Sequence, residues 1–326
     1  MKAFDTSKNG PTIRRSTPPG EHRPVMLAEV LKLLDPKPGE ITVDCTLGNA
    51  GHATAILERI GPSGRLIGID WDADNLSHAR ERLAATGFPF SIHQSNFAGL
   101  PKILAAEQLA GVDIVIADLG MSSMQVDDPE RGFSYVRDGP LDMRMNRARG
   151  RTAAELLATI STDELAESLR EFGDEPEADR IAQALVTARE QAPLARTSDV
   201  TRVIGELLSQ PVTRDAGWRL RPQPNQWRIH PAARTFQALR MLVNRELANL
   251  QELLRVLPQC LGPGGRAAII GFHSGEDRLV KEAFREGLGR GVFGKACDEP
   301  TRASEAEKLT NPRARSAKLR WARRFE

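Results

Sequence analysis

The chain has 326 residues, 40% hydrophobic and 27% charged, which describes a globular protein of about two domains. With 45 Lys+Arg against 43 Asp+Glu, the net charge of +2 gives no global reason to expect a polyanionic partner, although 36 of the cations are Arg and only 9 are Lys. Arg is the cation whose planar fork grips phosphate, but codon bias alone produces the same excess. No apolar run reaches the 18 or so residues of a membrane helix, and Cys45, Cys260 and Cys297 form no CxxC pair, so a membrane span, a disulfide framework and a metal site are not expected. A reducing cytoplasm is the expected compartment.

Residues 1–20 are polar and Pro/Gly-rich with no apolar segment, which predicts a flexible arm. Short apolar strands then alternate with helical stretches. Ile41 to Asp44 is a strand, followed by a Gly-containing turn through His52 and a helix bearing Ile56, Leu57 and Ile60. Arg65 to Asp70 is a second strand, Ala73 to Leu83 a helix, Phe90 to His93 a third strand and Val112 to Asp118 a fourth. That rhythm predicts βαβ units and a parallel sheet.

From about Asp127 to Arg228 no strand pattern is visible. Capping-box starts at Thr152 with Glu155 and at Ser161 with Glu164 introduce helical stretches at Ala153–Ile160, Asp163–Phe172, Asp179–Arg189 and Ser198–Leu208. This reads as a helical insert, 127–228, interrupting a sheet domain made of 21–126 and 229–326. The sheet pattern resumes with one long helix over Thr235–Leu257, a Gly262–Gly265 turn, an apolar strand (RAAIIGF) and a last strand over Ala317–Ala322 with its cations outward.

In such a sheet, ligands bind beyond the carboxyl ends of the strands. Asp44, Asp70 and Asp118 end three of them. The small residues between Asp44 and His52 let backbone approach a ligand, and Asp70, 19 residues after Gly51, suits the hydroxyls of a ribose. An adenosine-containing cofactor fits; a dinucleotide fits less well, because the turn is not GxGxxG, and S-adenosylmethionine carries no phosphate to need it. Asp118, followed by Leu119 and Gly120, could instead be a turn residue, but its place in the sheet also suits a carboxylate accepting from an exocyclic amino group.

Several strings are similar to those of the bacterial 16S rRNA cytosine-N4 methyltransferase family: HRPVM at 22–26, VDCTLGNAGH at 43–52, GIDWD at 68–72, ADLGMSSMQ at 117–125, DDPERGF at 127–133, DGPLDMRM at 138–145, RTFQALR at 234–240, FHS at 272–274 and NPRARSAKLR at 311–320. The resemblance implies a Rossmann-like S-adenosylmethionine-dependent sheet with an inserted, substrate-facing all-helical domain. It implies methylation of the N4 amino group of a decoding-centre cytidine in 16S rRNA. It also implies cofactor contacts at Ala50, Gly51, His52, Asp70, Phe97, Asp118 and Gln125. Asp118, with the carbonyls of Leu119 and Gly120, is in addition the expected catalytic group, accepting hydrogen bonds from the amino group that is methylated. Asn49 and Ala50 stand where the family usually has glycines, and Gly271 and Gly275 depart from its usual residues around Phe272-His-Ser274.

His52 and His273 are candidate bases with equally ordinary structural readings, so neither is assigned catalysis. Two Arg-rich runs flank the expected site: Arg131, Arg137, Arg144, Arg147, Arg149 and Arg151, then Arg313, Arg315, Lys318, Arg320, Arg323 and Arg324. The first is expected to contact phosphate; the second is either that or a solvated face. Two rival functions remain: an amino-methyltransferase acting on DNA or protein, and an RNA-binding assembly factor without catalysis.

Overall fold

A computed structural model describes residues 23–209 and 230–326. The arm expected at 1–20, His22 of the first family string and the expected end of the insert at Arg228 lie outside the described residues.

The chain runs α1 (Leu27–Leu34), β1 (Ile41–Asp44), α2 (Gly51–Ile60), β2 (Arg65–Asp70), α3 (Ala73–Ala84), β3 (Phe90–Gln94), α4 (Leu100–Ala106), β4 (Val112–Asp118) and α5 (Ser123–Asp127). Then come α6 (Ala153–Leu157), α7 (Thr162–Gly173), α8 (Ala178–Gln191), α9 (Thr197–Ser209) and α10 (Ala233–Asn244). The rest is α11 (Glu246–Cys260), β5 (Leu261–Gly271), α12 (Ser274–Gly289), β6 (Phe293–Ala296), β7 (Thr301–Arg302), α13 (Glu305–Thr310) and β8 (Lys318–Arg324). The strands form one sheet in the order β3-β2-β1-β4-β5-β8-β6, with β7 also on β8. Strands β1 to β5 are parallel, and β8 is antiparallel to its neighbours. The four strands read from the N-terminal sequence are all present, and the sheet is Rossmann-like, as expected.

Strand alternation fills both faces of the sheet. Val43, Ile67, Val115, Ala117 and Ile269 point to a core shared with α4, α11 and α12. Leu66, Ile114, Ile116, Ala268 and Ile270 point to the opposite core under α1, α2 and α3. Strands buried on both faces need this near-continuous apolar sequence. A third cluster, with Leu165, Leu169, Ile181, Leu185 and Ile204, packs α6 to α9 together. Both expected capping boxes are formed, by Thr152 with Glu155 and by Ser161 with Glu164.

Three expectations are corrected. The single helix over Thr235–Leu257 is two helices, because Arg245 adopts φ 51° and closes one while opening the other. Phe236 and Leu239 of α10 then bury in the helical cluster, whereas Leu250, Leu254 and Leu257 of α11 bury against the sheet. An apolar stripe at helical spacing fits either arrangement, so periodicity could not see the break. The Gly262–Gly265 segment is no free turn but an irregularity inside β5, between the pairs Val112↔Leu261 and Ile114↔Arg266. Glycine is required there: a Cβ on Gly265 would lie 2.9 Å from the Gly262 carbonyl oxygen and 3.0 Å from that of Val112. Finally, not every cation of β8 faces outward. Arg320 is buried, with Nε donating to Asp277 Oδ1 at 2.6 Å and Nη1 to the Asp298 carbonyl at 3.0 Å.

Candidate active site

Beyond the carboxyl ends of β1, β2, β4 and β5 lies a cavity of about 580 Å³. The turn after β1 builds its floor. Thr46 N donates to Asp44 Oδ1 at 3.0 Å, Asp118 N donates to Thr46 Oγ1 at 2.6 Å, and Gly48 N donates to Asp70 Oδ2 at 2.7 Å. One short loop therefore ties the carboxylates of Asp44 and Asp70 to the backbone of Asp118. Gly48 (φ 49°) and Ala50 (φ 55°) both take left-handed backbone, which turns the chain so that α2 starts at Gly51 beside the cavity. For alanine that conformation costs of the order of 1 kcal/mol.

Of the expected cofactor residues, Gly51, His52, Asp70, Phe97, Asp118 and Gln125 line the cavity. Ala50 does not; it is fully buried among the core residues under α1 to α3 and shapes the turn from behind. Asp70 is held by its neighbours, with Oδ1 accepting from Asp72 N at 2.8 Å and Asn75 Nδ2 3.2–3.3 Å from its two oxygens. Burial pushes its carboxyl up to about 6 against these hydrogen bonds. Gln125 borders the cavity with its amide already engaged: Oε1 accepts from Ser122 N at 2.9 Å and Nε2 donates to Asp72 Oδ2 at 2.7 Å.

Asp118 is the group with spare capacity. Its Oδ1 is buried and accepts no hydrogen bond from the described residues, and Oδ2 lies 3.8 Å from His52 Nδ1. Burial, reinforced by the nearby Asp44 charge, pushes the Asp118 carboxyl up to about 8. Burial likewise raises Asp44 to about 7. His52 is neutral: burial pushes it down to about 4, and Nε2 lies 2.9 Å from the Val25 carbonyl oxygen. A carbonyl only accepts, so Nε2 carries the proton and Nδ1 turns a lone pair toward Asp118.

On the other side of Asp118 the wall comes from distant segments. Phe133, Tyr135 and Val136 arrive from the loop after α5, Arg240 and Glu246 from the two sides of the α10–α11 break, and Phe272 and His273 from the end of β5. Among the described residues α6 to α9 contribute nothing to the lining. Glu246 accepts a two-pronged hydrogen bond from Arg240, 2.8 Å from Nε and 2.9 Å from Nη2. Burial raises the Glu246 carboxyl, and the Arg240 charge works against the rise. His273 caps α12 and lies 3.0 Å from Glu276 Oε1, while Phe272 N donates to Glu276 Oε2 at 2.7 Å. These bonds outweigh the burial of Glu276 and hold its carboxyl below the ordinary value. Sequence reasoning missed Arg240 and Glu246; the one local signal was Asn244, a helix-stopping residue inside the apolar stripe.

Within the first Arg run, Arg131 and Arg144 are held by the protein itself. Arg131 is buried, paired with Asp72 at 2.7 Å and Asp74 at 3.3 Å, and donates to the Arg144 and Met145 carbonyls. Arg144 forks onto Asp142 at 2.7 and 2.9 Å. Arg137, Arg147, Arg149 and Arg151 are exposed.

Comparison with known proteins places this architecture. The model of the MraW methylase family matches residues 20–325. "Ribosomal RNA small subunit methyltransferase H" of Geobacter sulfurreducens is 45% identical over 93% of this chain and 99% of its own length. The protein of the same name from Halorhodospira halophila is 45% identical over 93% of this chain and 94% of its own. Among solved structures, a SAM-dependent O-methyltransferase of Thermotoga maritima matches 92% of this chain and 64% of its own, at 10% identity and a TM-score of 0.39. A strand-end cavity with one unsatisfied carboxylate, in a chain matched almost end to end, has one reading: the protein belongs to the MraW methylase family and is an S-adenosylmethionine-dependent methyltransferase.

Proposed function

We propose that the protein methylates the N4 amino group of a decoding-centre cytidine in 16S rRNA, in the small subunit or an assembly intermediate of it, in the cytoplasm. The observation that carries this reading is Asp118: a partly buried carboxylate with one unpartnered oxygen, at the seam between a cavity half built like an adenosine site and a half walled by aromatic and Arg side chains. The residues fit the cofactor. Asp70 sits where ribose hydroxyls are expected, Phe97 offers a ring face for adenine, and Gly51 and His52 open α2 toward the ligand. Gln125 supports the rim through Asp72. When bound, S-adenosylmethionine supplies an activated methyl group on a sulfonium.

Cytosine N4 is a poor nucleophile because its lone pair is delocalised into the ring. The Asp118 carboxylate and the carbonyls of Leu119 and Gly120 accept hydrogen bonds from its N–H groups, favouring a tetrahedral nitrogen whose lone pair is free. Positioning supplies most of the acceleration. The amino nitrogen loses one proton in the transfer, and ionised Asp118 is placed to take it. The base must leave its stack to enter the cavity, so accessible RNA is the substrate.

Nucleoside mass spectrometry of 16S rRNA from cells with and without the gene tests this directly. Loss of an N4-methylcytidine is expected; an unchanged nucleoside profile rejects it. Transfer of a labelled methyl to DNA or protein in place of ribosomal RNA would favour the rival acceptors, and transfer to any acceptor excludes a factor without catalysis.

A further inference from the structure

The two Arg-rich runs look equivalent in sequence, and the structure separates them by what each guanidinium already holds. Lys318 and Arg320 share Asp277, at 3.0 and 2.6 Å. Arg315 Nε donates to the Lys308 carbonyl and Arg323 Nε to the Gly264 carbonyl, each at 3.1 Å, and Arg324 donates to the carbonyl of Leu261. Arg313 is exposed like Arg315 and Arg323, but it lines the cavity, and none of its side-chain donors has a hydrogen bond or ion-pair partner among the described residues. The acids whose charge reaches it are Asp118 and Asp127. Its mount is rigid: Pro312 opens the 3₁₀ turn Pro312–Arg315, and the next residue, Ala314, is fully buried in the core with Ala317 and Leu319. An uncommitted fork on a rigid mount at the mouth of the cavity matches phosphate geometry.

We infer that Arg313 is a positioning residue that grips a backbone phosphate beside the target nucleotide and so holds the extruded base at Asp118. The inference rests on the reading of RNA as the acceptor. It has a second consequence. With its phosphate absent, Arg313 opposes any cation brought to Asp118; a phosphate neutralises it. RNA binding therefore tightens cofactor binding, and the reverse must hold by the same factor.

The test uses the full chain and an RNA-containing 30S assembly intermediate that the wild type labels from tritiated cofactor. For Arg313→Ala, KM for the RNA is expected to rise roughly tenfold, the loss of one charge-assisted contact. The salt dependence of RNA binding should lose about 0.7 in log–log slope, one phosphate contact on single-stranded RNA. Cofactor Kd without RNA should stay the same or fall. Arg313→Lys should restore the slope, since it keeps the charge, and Arg255→Ala, remote on α11 and paired with Glu252, should leave it untouched. An unchanged slope in Arg313→Ala overturns the inference, as does a weakened cofactor Kd with RNA binding intact, which would assign Arg313 to the cofactor carboxylate. A wild type that labels no RNA at all would overturn the acceptor reading itself, and is distinguished by occurring before any substitution.

Discussion

The two halves of the cavity are built on opposite plans. The half proposed for the cofactor is assembled mostly from strand ends within about 80 residues of each other, and one loop, through Thr46 and Gly48, ties the carboxylates of Asp44 and Asp70 to the backbone of Asp118. The acceptor half joins Tyr135, Arg240, Phe272 and Arg313, from four segments spread over more than half the chain. In the first, local sequence determines geometry. In the second, tertiary packing does.

The contrast can be broken most severely at the seam. Asp118→Asn keeps the shape and removes the charge, so turnover should fall by about 10²–10³-fold with cofactor binding still measurable by calorimetry; near-normal turnover would remove Asp118 from the chemistry. Next in size is Arg131, which the sequence suggested as a phosphate contact. Arg131→Ala strands the buried Asp72 and should cost about 3–5 kcal/mol in urea unfolding. A stable variant with a flattened salt slope would return Arg131 to the RNA.

A subtler probe is pH. The free Asp118 carboxyl is protonated below about 8, and only its ionised form attracts a sulfonium, so cofactor affinity should strengthen as pH rises through about 8 and binding should release a proton. Calorimetry in buffers of different ionisation enthalpy measures that proton, and Asp118→Asn should abolish it. The same shift has a stability sign. A carboxyl raised in the folded state stabilises fully below its unfolded value and loses that contribution as pH rises toward 8. The smallest effect belongs to the exposed loop: Arg149→Glu should weaken RNA binding only a few-fold and leave kcat unchanged, and a large loss of kcat would make that loop part of the acceptor half.

Much of the sheet was legible because its signals are short-ranged. Val112–Asp118 reads as a strand without knowing its neighbours, and Thr152 and Ser161 announce their helices through a residue three positions on. The break at Arg245 was hidden because both resulting helices need the same apolar stripe and differ only in which core receives it. The roles of the arginines were hidden for a related reason. Arg131 and Arg149 are the same residue in the same run; one is buried by Asp72 and the other is solvated, and only the partner decides. Arg313 carried no mark to separate it from Arg315, two positions away.

The position of the helical insertion also has a consequence in time. Strand β4 ends at Asp118, and the strand that covers its free edge, β5, begins at Leu261. During synthesis at about 5–20 residues per second, the roughly 140 intervening residues take between about 7 and 30 seconds to appear. Through that interval the nascent chain can assemble β3-β2-β1-β4 but presents an apolar, unpaired β4 flank, the kind of edge that invites mispairing. The helical segment can bury Leu165, Leu169 and Ile181 among its own neighbours in the meantime. Asp118, the last residue of the waiting strand, reaches its final environment only when Ile270 arrives to accept the hydrogen bond from Leu119 N.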